Sequence, residues 1–152
     1  MLIGVVSDTH GLLRPEVAPA LAGVEQILHL GDVGNDAILD ELARIAPVHA
    51  VRGNIDRSGI PATLPETEVV LFEDHYLYLL HDLGALSLDP AAAKFAAVLY
   101  GHSHQPRIEH HRSVLYFNPG SCGPRRFNLP ITIGLLEVAP ESIQARIVPL
   151  LD

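Results

Sequence analysis

Five short apolar runs in this chain stop in the same manner, and that repetition restricts the fold more than any other feature. Leu2–Ser7 leads into Asp8-Thr9-His10, Gln26–Leu30 into Gly31-Asp32, and Val48–Arg52 into Gly53-Asn54. Tyr76–Leu80 leads into His81, and Ala96–Tyr100 into Gly101-His102-Ser103-His104. Continuous apolar runs rich in β-branched residues predict strands buried on both faces. Helical signals separate the first three. Pro15 opens a short helix over Glu16–Ala22 that Gly23 ends. Asn35 caps a second helix with Ile38, Leu39, Leu42 and Ile45 on one stripe, closed by Pro47. Glu68–Phe72 and Tyr76–Leu80 flank Glu73-Asp74-His75 as a hairpin, and Pro90–Lys94 reads as a short helix. Val114–Phe117 and the segments 131–138 and 143–149 read as strands. This order predicts an α/β (α+β) architecture, with two sheets and the helices outside them. At 152 residues, and with domains averaging about 150, a single domain over residues 1–152 is expected.

The residues at the run ends share one chemistry. In open α/β sheets, ligands bind beyond the carboxyl ends of the strands. Asp8, His10, Asp32, Asn54, His81, His102 and His104 offer oxygen and imidazole nitrogen there, and no thiolate. That donor set suits Mn²⁺, Fe²⁺, Co²⁺, Ni²⁺ or Zn²⁺. Seven ligands are too many for one such ion and suffice for two, which a shared carboxylate can bridge at about 3.5–4 Å. Two divalent ions outweigh two aspartates in charge, and the surplus favours hydroxide and a phosphate oxygen.

Composition removes other classes. A hydrophobic fraction of 48% excludes a disordered chain. Acidic residues number 18 against 10 basic, giving a net charge of −8. Lys94 is the one lysine, so no basic stripe exists for extended nucleic-acid binding. The single Cys122 has no partner for an internal disulfide. The N-terminal run is too short for a signal peptide, and no run approaches the ~18 apolar residues of a membrane span. A soluble cytoplasmic protein with no membrane partner is expected. The charge-poor surface is compatible with a homo-oligomer.

The motifs Asp8-Thr9-His10-Gly11, Gly31-Asp32, Gly53-Asn54-Ile55-Asp56, His81, Gly101-His102-Ser103-His104 and Asn118-Pro119-Gly120-Ser121 resemble those of the calcineurin-like metallophosphoesterases. The similarity is greatest to the small YfcE-type phosphodiesterase branch, and it covers the chain from residue 3 to about 138. The resemblance implies a four-layer α-β-β-α sandwich of two mixed β-sheets flanked by helices. It implies that Asp8, His10, Asp32 and His104 hold one divalent transition-metal ion, Mn²⁺ foremost. Asp32, Asn54, His81 and His102 would hold the second, with Asp32 as the bridge. The implied reaction is attack of a metal-bridging hydroxide on a small, nucleotide-like phosphodiester, with Asp32, Asn54 and His81 as catalytic residues. Two departures bear on substrate choice. Ile55 stands where many larger relatives place a histidine that protonates the leaving group. His81-Asp82-Leu83 replaces the usual His-Gly-His, setting the Asp82 carboxylate beside the site.

Arg125 and Arg126, after the Asn118 motif, are candidate contacts for a substrate phosphate. Asp56 is expected to orient the Asn54 loop, and His29 to support the ligands from behind. His49 reads as structural, His75 as a turn residue, His110-His111 as a solvated loop and Cys122 as a packing residue. Two rival functions stay open. One is a catalytically silent protein-binding scaffold, as the resemblance to the retromer subunit of this fold implies. The other is a phosphomonoesterase on the same site.

Overall fold

The computed structural model describes residues 1–151. Its strands are β1 (Leu2–Val6), β2 (Gln26–His29), β3 (Val48–Ala50), β4 (Thr67–Phe72), β5 (His75–Leu80), β6 (Ala97–Leu99), β7 (Arg107–His111), β8 (Val114–Asn118), β9 (Thr132–Ala139) and β10 (Ser142–Pro149). Its α-helices are α1 (Val17–Ala20) and α2 (Asp36–Ala43). The strands form two five-stranded mixed sheets, ordered β10-β9-β1-β2-β3 and β4-β5-β6-β8-β7. β1, β2 and β3 run parallel in the first, and β5, β6 and β8 run parallel in the second. β9 is antiparallel to β1, and the hairpins β9–β10, β4–β5 and β7–β8 complete the edges. Among the described residues no helix is long and apolar enough to cross a membrane.

Strand alternation sorts side chains between three apolar layers. Ile3, Val5, Leu28, Leu77, Leu79, Leu99, Phe117 and Leu136 meet between the sheets. Val6, Ile27 and Ile133 turn outward under the helices, against Leu21, Ile38 and Leu42. Tyr78, Leu80, Val98 and Tyr100 face the opposite side, under Leu83, Leu86, Leu88 and Phe95. The central strands are therefore buried on both faces, which is why they read as unbroken apolar runs. Each fully buried leucine of this kind contributes about 1.5–3 kcal/mol.

The four-layer sandwich is present, but its outer layers are unequal. Both α-helices pack on the first sheet. The second sheet is covered by the 3₁₀ turn Leu83–Ala85 and the segment after it. Pro90–Lys94 is a turn and not a helix: Asp89 accepts from the Ala91 and Ala92 N–H groups, and Lys94 adopts φ 64°. α1 is also shorter than expected: after Leu21 N–H to Val17 O at 3.0 Å the ladder tightens to three-residue turns, with Ala22 N–H to Pro19 O at 3.2 Å. Asn35 caps α2 as its sequence predicts, accepting from the Ile38 N–H at 3.3 Å.

Two histidine assignments are corrected. His110 and His111 lie on edge strand β7, not in a loop. That strand is exposed along its length and carries no apolar alternation, so only its ladder with β8 reveals it. His75 opens β5, and the hairpin turn is Glu73-Asp74, both residues at positive φ. His49 sits on β3, bonded to Gln26 at 3.1 Å and edge-on to Phe72.

Candidate metal centre

Each parallel strand delivers its polar terminus to the same rim of the sandwich. From the first sheet come Asp8 and His10 after β1, Asp32 after β2 and Asn54 after β3. From the second come His81 after β5, and His102 and His104 after β6. Five of these seven hold positive φ: Asp8 (57°), His10 (46°), Asp32 (56°), His102 (73°) and His104 (62°). Such backbone costs energy for side chains other than glycine and collects at sites where geometry overrides it. Gly101 and Gly53 are small for a separate reason. A Cβ on Gly101 would overlap the Ser7 hydroxyl, and one on Gly53 would overlap Asp32.

The side chains converge. His104 Nε2 lies 3.4 Å from Asp8 Oδ1, and His10 Nε2 lies 3.8 Å from the same oxygen. Asp32 Oδ2 stands between two imidazoles, 3.4 Å from His10 Nε2 and 3.3 Å from His81 Nε2. Asn54 Oδ1 lies 3.1 Å from His81 Nε2 and 3.2 Å from His102 Nδ1. His81 Nδ1 donates to the Leu30 carbonyl at 2.7 Å, so its Nε2 lone pair faces the cluster. Two groups, Asp8-His10-His104 and Asp8-Asp32-His81, have donor atoms close enough to share an ion.

The cluster fits divalent ions on its own chemistry. Asp8 Oδ1, His10 Nε2 and both ring nitrogens of His104 are buried without a hydrogen-bond partner. Buried polar atoms are ordinarily satisfied, and of these Asp8 Oδ1, His10 Nε2 and His104 Nε2 face one another. The donors are carboxylate, amide oxygen and imidazole, matching a borderline transition metal. Electrostatics agree. Burial pushes the Asp8 carboxyl up, yet the nearby His10 and His104 rings, His81 and the Ser7 hydroxyl hold it well below the usual range. Burial likewise opposes ionisation of Asp32, but His81 and the Ile55 N–H hold it low. Burial presses the His81 pKa down, and Asp32 and Asp8 more than reverse that.

Supporting residues fix this arrangement from behind. The Ser7 hydroxyl donates to Asp8 Oδ2 at 2.8 Å, and the Ser121 hydroxyl to the Asp8 carbonyl at 3.0 Å. Asn118, at the end of β8, donates to Gly101 O and Ser103 Oγ, both at 3.1 Å, and so holds the His102–His104 loop. Asp56 accepts from Gly53 N (2.8 Å), Val33 N (3.2 Å) and Gly34 N (3.1 Å), joining the Asp32 loop to the Asn54 loop. Asp82 accepts from Gly84 N at 2.9 Å and lines the adjoining cavity. Arg125 is exposed and donates to Leu129 O within its own loop. Neither Arg125 nor Arg126 lines that cavity, whose cations are Arg52 and Arg57. Ser7, Arg57 and Tyr78 escape the sequence reading because nothing local sets them apart.

His29 is fully buried beneath the cluster. Its Nδ1 accepts from the Gly31 N–H at 3.1 Å, so Nε2 carries the proton and donates to Thr9 Oγ1 at 3.0 Å. Burial pushes its pKa from 6.5 to about 4, against the pull of Asp8 and Asp56. Between those values the unfolded chain binds the extra proton, so stability falls as pH drops. The full loss is about 3 kcal/mol. Urea unfolding at about pH 7 and about pH 4.5 is expected to show most of it, and His29→Gln to flatten the slope.

The fold and the cluster together define a two-sheet α/β sandwich with a carboxylate–imidazole centre on one rim. Comparison with known proteins gives that class its family. The model of the calcineurin-like phosphoesterase superfamily domain matches residues 1–141, and the chain belongs to that superfamily. A probable metallophosphoesterase of Methanothermobacter thermautotrophicus is 35% identical, with 97% of this chain and 92% of the relative covered. The phosphodiesterase YfcE of Escherichia coli K12 is 31% identical, covering 90% and 88%. Among solved structures, Chaetomium thermophilum Vps29 superposes with a TM-score of 0.80 at 18% identity over 99% and 98%. At that identity the likeness concerns the fold alone.

Proposed function

We propose that residues 1–152 act as one phosphodiesterase domain that hydrolyses a small, nucleotide-like phosphodiester with two divalent transition-metal ions. Asp8, His10, Asp32 and His104 hold one ion, and Asp32, Asn54, His81 and His102 the other. Mn²⁺ is the favoured metal, ahead of Ni²⁺, Co²⁺, Fe²⁺ and Zn²⁺. One observation carries this reading: buried donor atoms without partners converge from both sheets, with Asp32 Oδ2 set between His10 and His81. When bound, the ions supply Lewis acidity that makes water nucleophilic at neutral pH and neutralises phosphoryl charge. The protein's part is orientation. The Leu30 carbonyl fixes the His81 tautomer, and Asn54 Oδ1 spaces the His81 and His102 rings. Ile55 offers no proton to the departing oxygen, so esters with good leaving groups are favoured.

The test is hydrolysis of bis(p-nitrophenyl) phosphate and of p-nitrophenyl phosphate by metal-stripped protein, before and after Mn²⁺. Mn²⁺-dependent turnover with the diester preferred is expected. A faster monoester would make the protein a phosphomonoesterase. No turnover with Mn²⁺, Ni²⁺, Co²⁺ or Zn²⁺ from folded protein would leave the scaffold.

Metal loading also has a stability signature. An ion held only by the folded state adds RT ln(1 + [L]/Kd), about 2.7 kcal/mol at a hundredfold excess over Kd. For a chain of this size that raises Tm by roughly 5–10 °C. Differential scanning fluorimetry of stripped protein with Mn²⁺ is expected to show the rise, and Asp8→Asn to lose most of it.

A further inference from the structure

We propose that the cavity beside Asn54 and His81 seats the organic group of the substrate, and that Arg57 selects nucleosides bearing a second phosphate. This rests on the phosphodiesterase reading and concerns what lies beyond the scissile phosphate. The cavity measures about 740 Å³, within the few hundred to about 1,000 Å³ typical of small-molecule sites. Asn54, His81 and His102 are among its lining residues, so the cavity adjoins the centre and offers room for one substituent of a diester held there.

Part of the lining is apolar: Tyr78 and Leu80, side chains of β5 on the outer face of the second sheet, with Ala62 and Ala85. Tyr78 is held edge-on by Phe95 at 5.2 Å between ring centroids. A cavity lined by one fixed aromatic ring, a leucine and two alanines suits a largely apolar planar ring such as a nucleobase.

The charge is selective. Arg52 is already engaged, by Glu66 at 2.6 Å and the Ala62 carbonyl at 3.3 Å. The Asp56 carboxylate is engaged by three backbone N–H groups, and Asp82 by Gly84 N. Arg57 is exposed on the wall, and among the described residues its guanidinium makes no ion pair or side-chain hydrogen bond. Its backbone is nevertheless fixed, through Arg57 N to Ile55 O at 3.0 Å. In a chain of net charge −8 with one lysine, an unengaged guanidinium on the cavity lining is a ready anion contact, and its planar fork matches phosphate. Asp82 and Glu66 line the same cavity and disfavour an anion beside them, which leaves Arg57 as its contact.

The test compares thymidine 5′-(p-nitrophenyl phosphate) with its 3′-phosphorylated form on Mn²⁺-loaded wild-type protein, Arg57→Ala and Arg57→Glu. Wild type is expected to show about tenfold lower KM for the 3′-phosphorylated ester, the worth of one charge-assisted contact. Arg57→Ala is expected to erase that ratio, and Arg57→Glu to invert it. A wild-type ratio near one, or a ratio that survives Arg57→Ala, overturns the proposal. Calorimetric binding of thymidine 3′,5′-bisphosphate against thymidine 5′-monophosphate separates this from failure of the phosphodiesterase reading. Should neither ester be hydrolysed, tighter bisphosphate binding that Arg57→Ala abolishes upholds the Arg57 site. Equal or absent binding of the two nucleotides overturns it.

Discussion

Asp32→Asn is expected to lower kcat for Mn²⁺-dependent diester hydrolysis by about three orders of magnitude, with the fold intact. Asp32 is 3% exposed, and its two oxygens have separate tasks. Oδ1 accepts from the Ile55 N–H at 3.1 Å, which an asparagine carbonyl reproduces. Oδ2 lies between His10 and His81, where the substitution places an uncharged NH₂. An amide cannot share two cations as a carboxylate does. Several kcal/mol of transition-state charge stabilisation, about 4, corresponds to the thousandfold drop. Near-identical volume leaves packing undisturbed, so circular dichroism and Tm of the metal-free variant are expected to match wild type closely. Steady-state kinetics with metal counting on the same samples decide the matter. A kcat within tenfold of wild type at full metal content would remove Asp32 from the centre.

The second large effect is expected on stability. Asp56→Ala removes a buried carboxylate that accepts three backbone N–H bonds, from Gly53, Val33 and Gly34. Its residual exposure is 4%, so the stranded donors have little access to solvent. Unsatisfied buried donors cost about 1–3 kcal/mol each, and partial relaxation brings the sum to about 3–4 kcal/mol. For a protein of this size that lowers Tm by roughly 10 °C. Asp56→Asn, which keeps one carbonyl oxygen, is expected between wild type and alanine. Because Asp56 ties the loop carrying Asp32 to the loop carrying Asn54, metal affinity is expected to fall about 10–100-fold as well. Urea unfolding and a competitive chelator titration measure the two separately. An alanine variant within about 1 kcal/mol of wild type would show that the loops hold without it.

The legible part of the chain is the part governed by local rules. β1 and β6 read as strands because burial on both faces leaves no polar residue in the run, and β2 and β5 because Ile27-Leu28 and Leu77–Leu80 are buried on both faces. Asn35 announces α2 because its side chain answers that helix's own N–H groups. β7 was hidden, since an exposed edge strand is defined by the partner it bonds to and not by its own pattern. Pro90–Lys94 has helical composition but is closed by Asp89 and Lys94 into a turn. Arg125 and Arg126 follow a motif yet lie outside the cavity, whereas Arg57 is marked only by where the β3–β4 connection places it.

Residue types and their order determined the two sheets, the polar strand ends and the class of chemistry those ends support. These are properties of neighbours along the chain: alternation, capping and the donor atoms each side chain carries. Only the tertiary structure decided that Asp8, Asp32, Asn54, His81, His102 and His104 meet within a few ångströms. That depends on the register of parallel strands in two separate sheets, and on the apolar layer between them that fixes one sheet against the other. The pocket beside the centre is decided at the same level. Its lining combines residues from 52–67, 78–87 and His102, so no single stretch of the chain contains it.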